Sequence, residues 1–188
     1  MTVVLASAVP QAYVGLAGDT KPPAPRAGAT FYETDTGLNN IYDGAAWQRQ
    51  ATAGGLYLAR SSVTFTGAAN LGAVGAVPFF TVTGAVLVQY IVGFGVLTPV
   101  SAGGGTLALG VTGSTAIFIA ATTATTITTG STWQTTTPNT TALAVPAALK
   151  EIVVSANIIG TVAVGTITGG TIQLECYWRP LTSTGLIA

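Results

Sequence analysis

Between Arg60 and Lys150 the chain runs for 89 residues without one charged side chain. At an average charge content of about 25%, roughly 22 would be expected there. A surface that neutral draws molecules together at working pH. Two arrangements tolerate such a stretch: a segment that faces lipid, and a β-domain whose exterior is covered by other protein chains. Residues 73–97 are uncharged and mostly apolar, long enough to cross a bilayer as a helix. Pro78, Thr81, Thr83, Gly84, Gln89, Gly93 and Gly95 interrupt them, however, and the central Val86–Val92 is short and β-branched. That pattern favours a strand buried on both faces. No Lys or Arg anchors flank it. No membrane partner is expected.

The remaining composition narrows the class. Val, Ile and Thr dominate, which suits pleated surfaces rather than disorder. The six basic residues, Lys21, Arg26, Arg49, Arg60, Lys150 and Arg179, are scattered and balanced by six acids. Nucleic acid is therefore not an expected partner, because neutralising phosphates needs a basic face. Histidine is absent, which removes the commonest general base and the usual zinc ligand. Cys176 is the one cysteine, so no internal disulfide can form. The first residues, Met1 to Leu5, lack the basic region of a secretion signal.

Along the chain, residues 1–27 read as an extended N-terminal arm. Lys21-Pro22-Pro23-Ala24-Pro25-Arg26 should be stiff, since proline fixes its own φ and restricts the residue before it. Residues 28–50 read as a small β-meander: a strand from Gly28 to Asp35, a turn at Thr36-Gly37, a strand at Asn40–Tyr42, a turn at Asp43-Gly44, and a strand at Ala46–Arg49. Phe31, Tyr32, Tyr42 and Trp47 would supply its aromatic packing, and a unit this small must lean on another surface. Residues 51–60 read as a linker hinged at Gly54-Gly55, residues 61–181 as the main domain and residues 182–188 as a tail. Ala142 to Lys150 is ambiguous, and Pro146 would break a helix there.

The last strand is the clearest element. Ile172, Leu174, Cys176 and Trp178 point one way, and Thr171, Gln173, Glu175, Tyr177 and Arg179 the other. Many short strands punctuated by glycine and proline predict an all-β fold, an antiparallel β-sandwich of jelly-roll type.

Few residues suggest chemistry. Glu33 and Asp35 lie two apart on one strand, roughly 7 Å by the strand rise, within the range of paired glycosidase carboxylates. With Asp19 and Asp43 they could also form a calcium cluster. A solvated polar face accounts for them without either. Gly103-Gly104-Gly105 has no lysine near it to make a phosphate loop, and Gly93-Phe94-Gly95 reads as a bend or turn. Cys176 faces inward without a histidine to activate it. Asn139-Thr140-Thr141 reads as a polar loop. Trp133 sits in the polar run Gly130–Pro138, where it either anchors its own loop or offers a ring to a sugar or a partner's pocket. No catalytic residue, cofactor or metal is expected.

Gly28-Ala29-Thr30-Phe31-Tyr32-Glu33-Thr34-Asp35-Thr36-Gly37, with Ile41-Tyr42-Asp43-Gly44 and Trp47, resembles a short β-meander of tailed-bacteriophage structural proteins. Ile167 to Leu174, followed by Tyr177-Trp178-Arg179-Pro180-Leu181 and Gly185, is similar to the final strand of phage virion proteins. The resemblance covers about a quarter of the chain. It implies a non-catalytic virion component, a homotrimer in the manner of capsid decoration or head-fibre subunits. Such a protein is assembled in the host cytoplasm and docks on the major capsid protein or another virion protein; residues 1–50 would attach it, with Phe31, Tyr32, Tyr42 and Trp47 packing the attachment unit at 28–50, and residues 56–181 would project. The alternative is a tail-fibre protein that touches host glycan through the Trp133 loop.

Overall fold

The computed structural model describes residues 11–34, 38–49, 56–141, 144–182 and 184–188. Asp35, the Thr36-Gly37 turn, the Gly54-Gly55 hinge, Met1 to Leu5 and Ala142 lie outside the described residues. The chain divides into two compact units, Met1–Gly55 and Leu56–Ala188. Among the described residues there is no α-helix, only the 3-10 turns Ala124–Thr126 and Ala147–Leu149. Among the described residues no helix is long and apolar enough to cross a membrane.

The first unit is one four-stranded sheet in the order β1 (Ala12–Gly15), β2 (Thr30–Glu33), β3 (Leu38–Tyr42), β4 (Trp47–Arg49). The three expected meander strands are present. The stretch read as a free arm contributes a fourth, because β1 pairs in parallel with β2, Tyr13 opposite Phe31 and Val14 opposite Tyr32. Asp43 builds the β3–β4 turn: its Oδ1 accepts the N–H groups of Ala45 and Ala46, both at 2.8 Å. Those bonds, Ala46 foremost, and one from Gln48 hold its carboxyl below the usual carboxylate range.

The second unit is a sandwich built from β5 (Tyr57–Thr64), β6 (Gly75–Phe80), β7 (Val82–Thr83), β8 (Val86–Ser101), β9 (Thr106–Val111), β10 (Ser114–Thr123), β11 (Thr132–Trp133), β12 (Lys150–Val154), β13 (Ile158–Ala163), β14 (Ile167–Pro180) and β15 (Leu186–Ile187). One sheet runs β8–β14–β5, with β11 and β12 sharing the other edge of β8; the second runs β10–β9–β13–β6. The chain crosses between the sheets as β5, β6, β8, then β9 and β10, then β12, β13 and β14. Orders β12–β8–β14–β5 and β10–β9–β13–β6 wound this way are a jelly roll. Its edges carry the usual protections: Pro78 in β6, and register shifts in β10.

The last strand behaves as its alternation requires. Ile172, Leu174, Cys176 and Trp178 are all buried. Three boundaries differ from the sequence reading. Residues 57–60, read as linker, begin β5 and pair with β14. Residues 186–187, read as tail, pair with Val82 and Thr83. Gly93-Phe94-Gly95, read as a bend or turn, continues β8 as far as Ser101. The two glycines do not end the strand. A Cβ on Gly93 would stand 2.9 Å from the Trp133 ring, and one on Gly95 would strike the carbonyl of Thr128. Glycine is used here for close backbone approach.

Candidate interaction surfaces

In the N-terminal sheet the aromatic residues separate onto two faces. Phe31 and Tyr42 are buried and Trp47 is half-buried. Trp47 is the hub: Tyr13, Phe31 and Tyr42 meet it edge-on at 6.2, 6.0 and 5.5 Å between centroids. The proline-rich stretch closes over this face. Trp47 Nε1 donates to the Pro22 carbonyl at 3.1 Å, and Lys21 Nζ stands 4.8 Å from the centre of the Phe31 ring. The same Lys21 reaches Glu33 at 3.0 Å, and Asn40 Nδ2 donates to Glu33 Oε1 at 2.9 Å.

Glu33 is therefore no part of a solvated polar face; it is buried and held by a lysine and an amide. That geometry suits a structural ion pair rather than a proton shuttle. Asp19 accepts the N–H of Leu16, and Asp43 accepts the N–H groups of its own turn. Among the described residues no group of three or more His, Cys, Asp or Glu could hold a metal ion.

Of the four aromatics read as packing the meander, Phe31, Tyr42 and Trp47 line its interior. Tyr32 alone is exposed, at 42%. It lies in a row across the opposite face with Val14 on β1 and Asn39 on β3. Val14 is 69% exposed and Leu16 follows it. The sequence reading missed Val14 because its partner on the neighbouring strand, Tyr32, lies eighteen residues away. The available signal was Tyr13-Val14, a β-favouring pair ahead of the proline-rich stretch.

In the sandwich Trp133 has no exposure, and its Nε1 donates to Thr122 Oγ1 on the second sheet at 3.1 Å. It anchors its loop, and the ring cannot stack on a sugar. The tail-fibre alternative loses the contact named for it. Cys176 is buried, which pushes its thiol up to about 12. On the outer face of the first sheet Tyr90 and Tyr177 stack with centroids 4.4 Å apart. Burial, and then its bond to Tyr177, push the Tyr90 phenol up to about 12. Beside them Arg60 Nε meets Glu175 at 2.8 Å, an exposed pair of the kind worth little in water.

The five charged residues of the sandwich are not spread evenly. Glu175, Tyr90's partner Lys150 and Arg179 align with Val92, Tyr90 and Leu87 of β8; Arg60 pairs with Glu175, and Glu151 follows Lys150. All lie along the first half of β8. The other half, from Gly93 to Ser101, and the loops around it carry none. The sequence matches no protein-family model and no curated protein.

Proposed function

We propose that this chain is a non-catalytic structural subunit of a tailed-phage virion, a capsid decoration or head-fibre protein. It forms a homotrimer and docks on the major capsid protein or another virion protein. The observation that carries the reading is the division between the two units. A small sheet stiffened by an internal ion pair presents Val14, Leu16 and Tyr32 outward, and a jelly roll follows with half its exterior free of ions. Surfaces of this kind serve contact with protein rather than turnover.

The N-terminal sheet is the attachment unit in this reading, through its Val14–Tyr32 face. Particles assembled with Val14→Glu/Tyr32→Ser protein should lack the subunit, while circular dichroism of the purified variant remains that of a folded β-protein. Incorporation equal to wild type would refute the attachment face. Absence of the unaltered protein from purified particles would refute the virion assignment itself.

A further inference from the structure

The ion-free end of the sandwich is built with care. The loops 66–74, 98–105 and 163–169 converge there. Ile167 N–H donates to the Gly72 carbonyl at 2.8 Å, Ala102 N–H to Thr166 at 3.2 Å, and Thr168 Oγ1 to the Val100 carbonyl at 3.4 Å. No residue in these three loops is charged. Leu71 and Val164 are nevertheless exposed there, and Phe94, Leu97 and Val100 stand exposed on the adjoining second half of β8.

Val164 is the sharpest feature. Its φ is +68°, a conformation that a β-branched residue rarely adopts. The Gly165 N–H closes back onto the Ala163 carbonyl at 2.8 Å, giving a γ-turn of the rare strained hand. The residue after it must be glycine, because a Cβ on Gly165 would strike the Ala102 carbonyl. The turn therefore holds a valine 78% exposed at the tip of the β13–β14 connection. Strain held in place by its surroundings marks positions used for contact.

We propose that this end is where copies of the chain meet, with Leu97, Val100 and Val164 at the centre of the contact. The occupant follows from charge. A lipid headgroup, a polyanion or a charged peptide would have to shed water from its ions against a surface that offers no counter-charge. A second copy presents the same neutral surface. Residues that stand at a rotation axis lie close to their own copies, so a charge at the axis would meet its own sign. This end of the jelly roll avoids that penalty and the charged half does not. The inference rests on the proposed reading of a self-associating subunit and names the surface responsible.

Sedimentation velocity of the full chain tests it. Val100→Lys and Val164→Lys, separately and together, should weaken association about 10- to 100-fold, as loss of central contact residues does. Val153→Lys, an exposed site in the charged half, should change nothing. Val164→Gly, which relieves the backbone without adding charge, should weaken association several-fold while raising the melting temperature. Lysine variants that sediment as the wild-type oligomer would overturn the surface assignment and leave the virion reading standing. A wild-type chain that stays monomeric, while the lysine variants lose particle binding, would make another virion protein the occupant and overturn self-contact.

Discussion

The two units solve the same problem with different means. The first 55 residues hold seven of the twelve charges (Asp19, Lys21, Arg26, Glu33, Asp35, Asp43, Arg49); the remaining 133 hold five. The small sheet cannot enclose enough apolar surface to stand on burial alone. It places one ion pair and an asparagine inside, and uses a proline carbonyl to fix its tryptophan. The sandwich has the area. Its interior is mostly aliphatic and aromatic, with Thr122, Ser131 and Gln134 as uncharged polar members, and its charges are left on the surface of one half. Polar interior contacts give the small unit definition, whereas the large unit obtains definition from alternation along long strands. This contrast predicts that each unit has its own failure mode.

The largest effect should come from the sandwich interior. Trp133→Ala removes a fully buried indole that joins the two sheets and leaves the Thr122 hydroxyl without its donor. A loss of about 3–5 kcal/mol is expected, read by denaturant unfolding. A loss below about 1 kcal/mol would mean the loop is not pinned by this ring. Next, Glu33→Ala strands Lys21 and Asn40. Breaking a buried pair costs about 3–5 kcal/mol. Partial exposure of Lys21 puts the expectation at the lower end. Proteolysis should then cut within the first 55 residues while the sandwich resists. A single shared transition would break the contrast between the units.

The smallest effect concerns alkali. Cys176 and Tyr90 both ionise at about 12 in the folded chain, above their ordinary values. The unfolded chain ionises first, so their contribution is complete below about pH 9 and is lost as pH rises toward about 12. Stability should fall across that window in unfolding titrations. The thiol should stay inert to alkylation until the sandwich opens, and rapid labelling of native protein at neutral pH would contradict its burial.

Much of the architecture could be read from residue patterns, for reasons that are local. Residues 171–179 alternate strictly because a strand buried on one face must. The Asp43-Gly44 turn announces itself because Asp43 bonds its own turn and Gly44 takes a positive φ of 106°. What was hidden depends on distant partners. Nothing local tells Gly93 or Gly95 from a strand terminator; the reason for them is a tryptophan and a carbonyl more than thirty residues later. Nothing in Ala12–Gly15 tells of a parallel neighbour at Thr30–Glu33. Trp133 looked like a loop residue because its flanks are polar, yet its side chain leaves that company for the core. The aromatic packing of the meander was legible as a cluster, but the cluster alone does not say that Tyr32 faces out while Phe31, Tyr42 and Trp47 face in.

β14 lies between β5 and β8, so the first sheet stays in two pieces until residues 167–180 have been made. The rest of the sandwich must wait on the ribosome with two unpaired strand flanks exposed to chaperones or to neighbouring nascent chains. A prematurely released product lacks the strand that joins the two pieces and cannot close the sandwich.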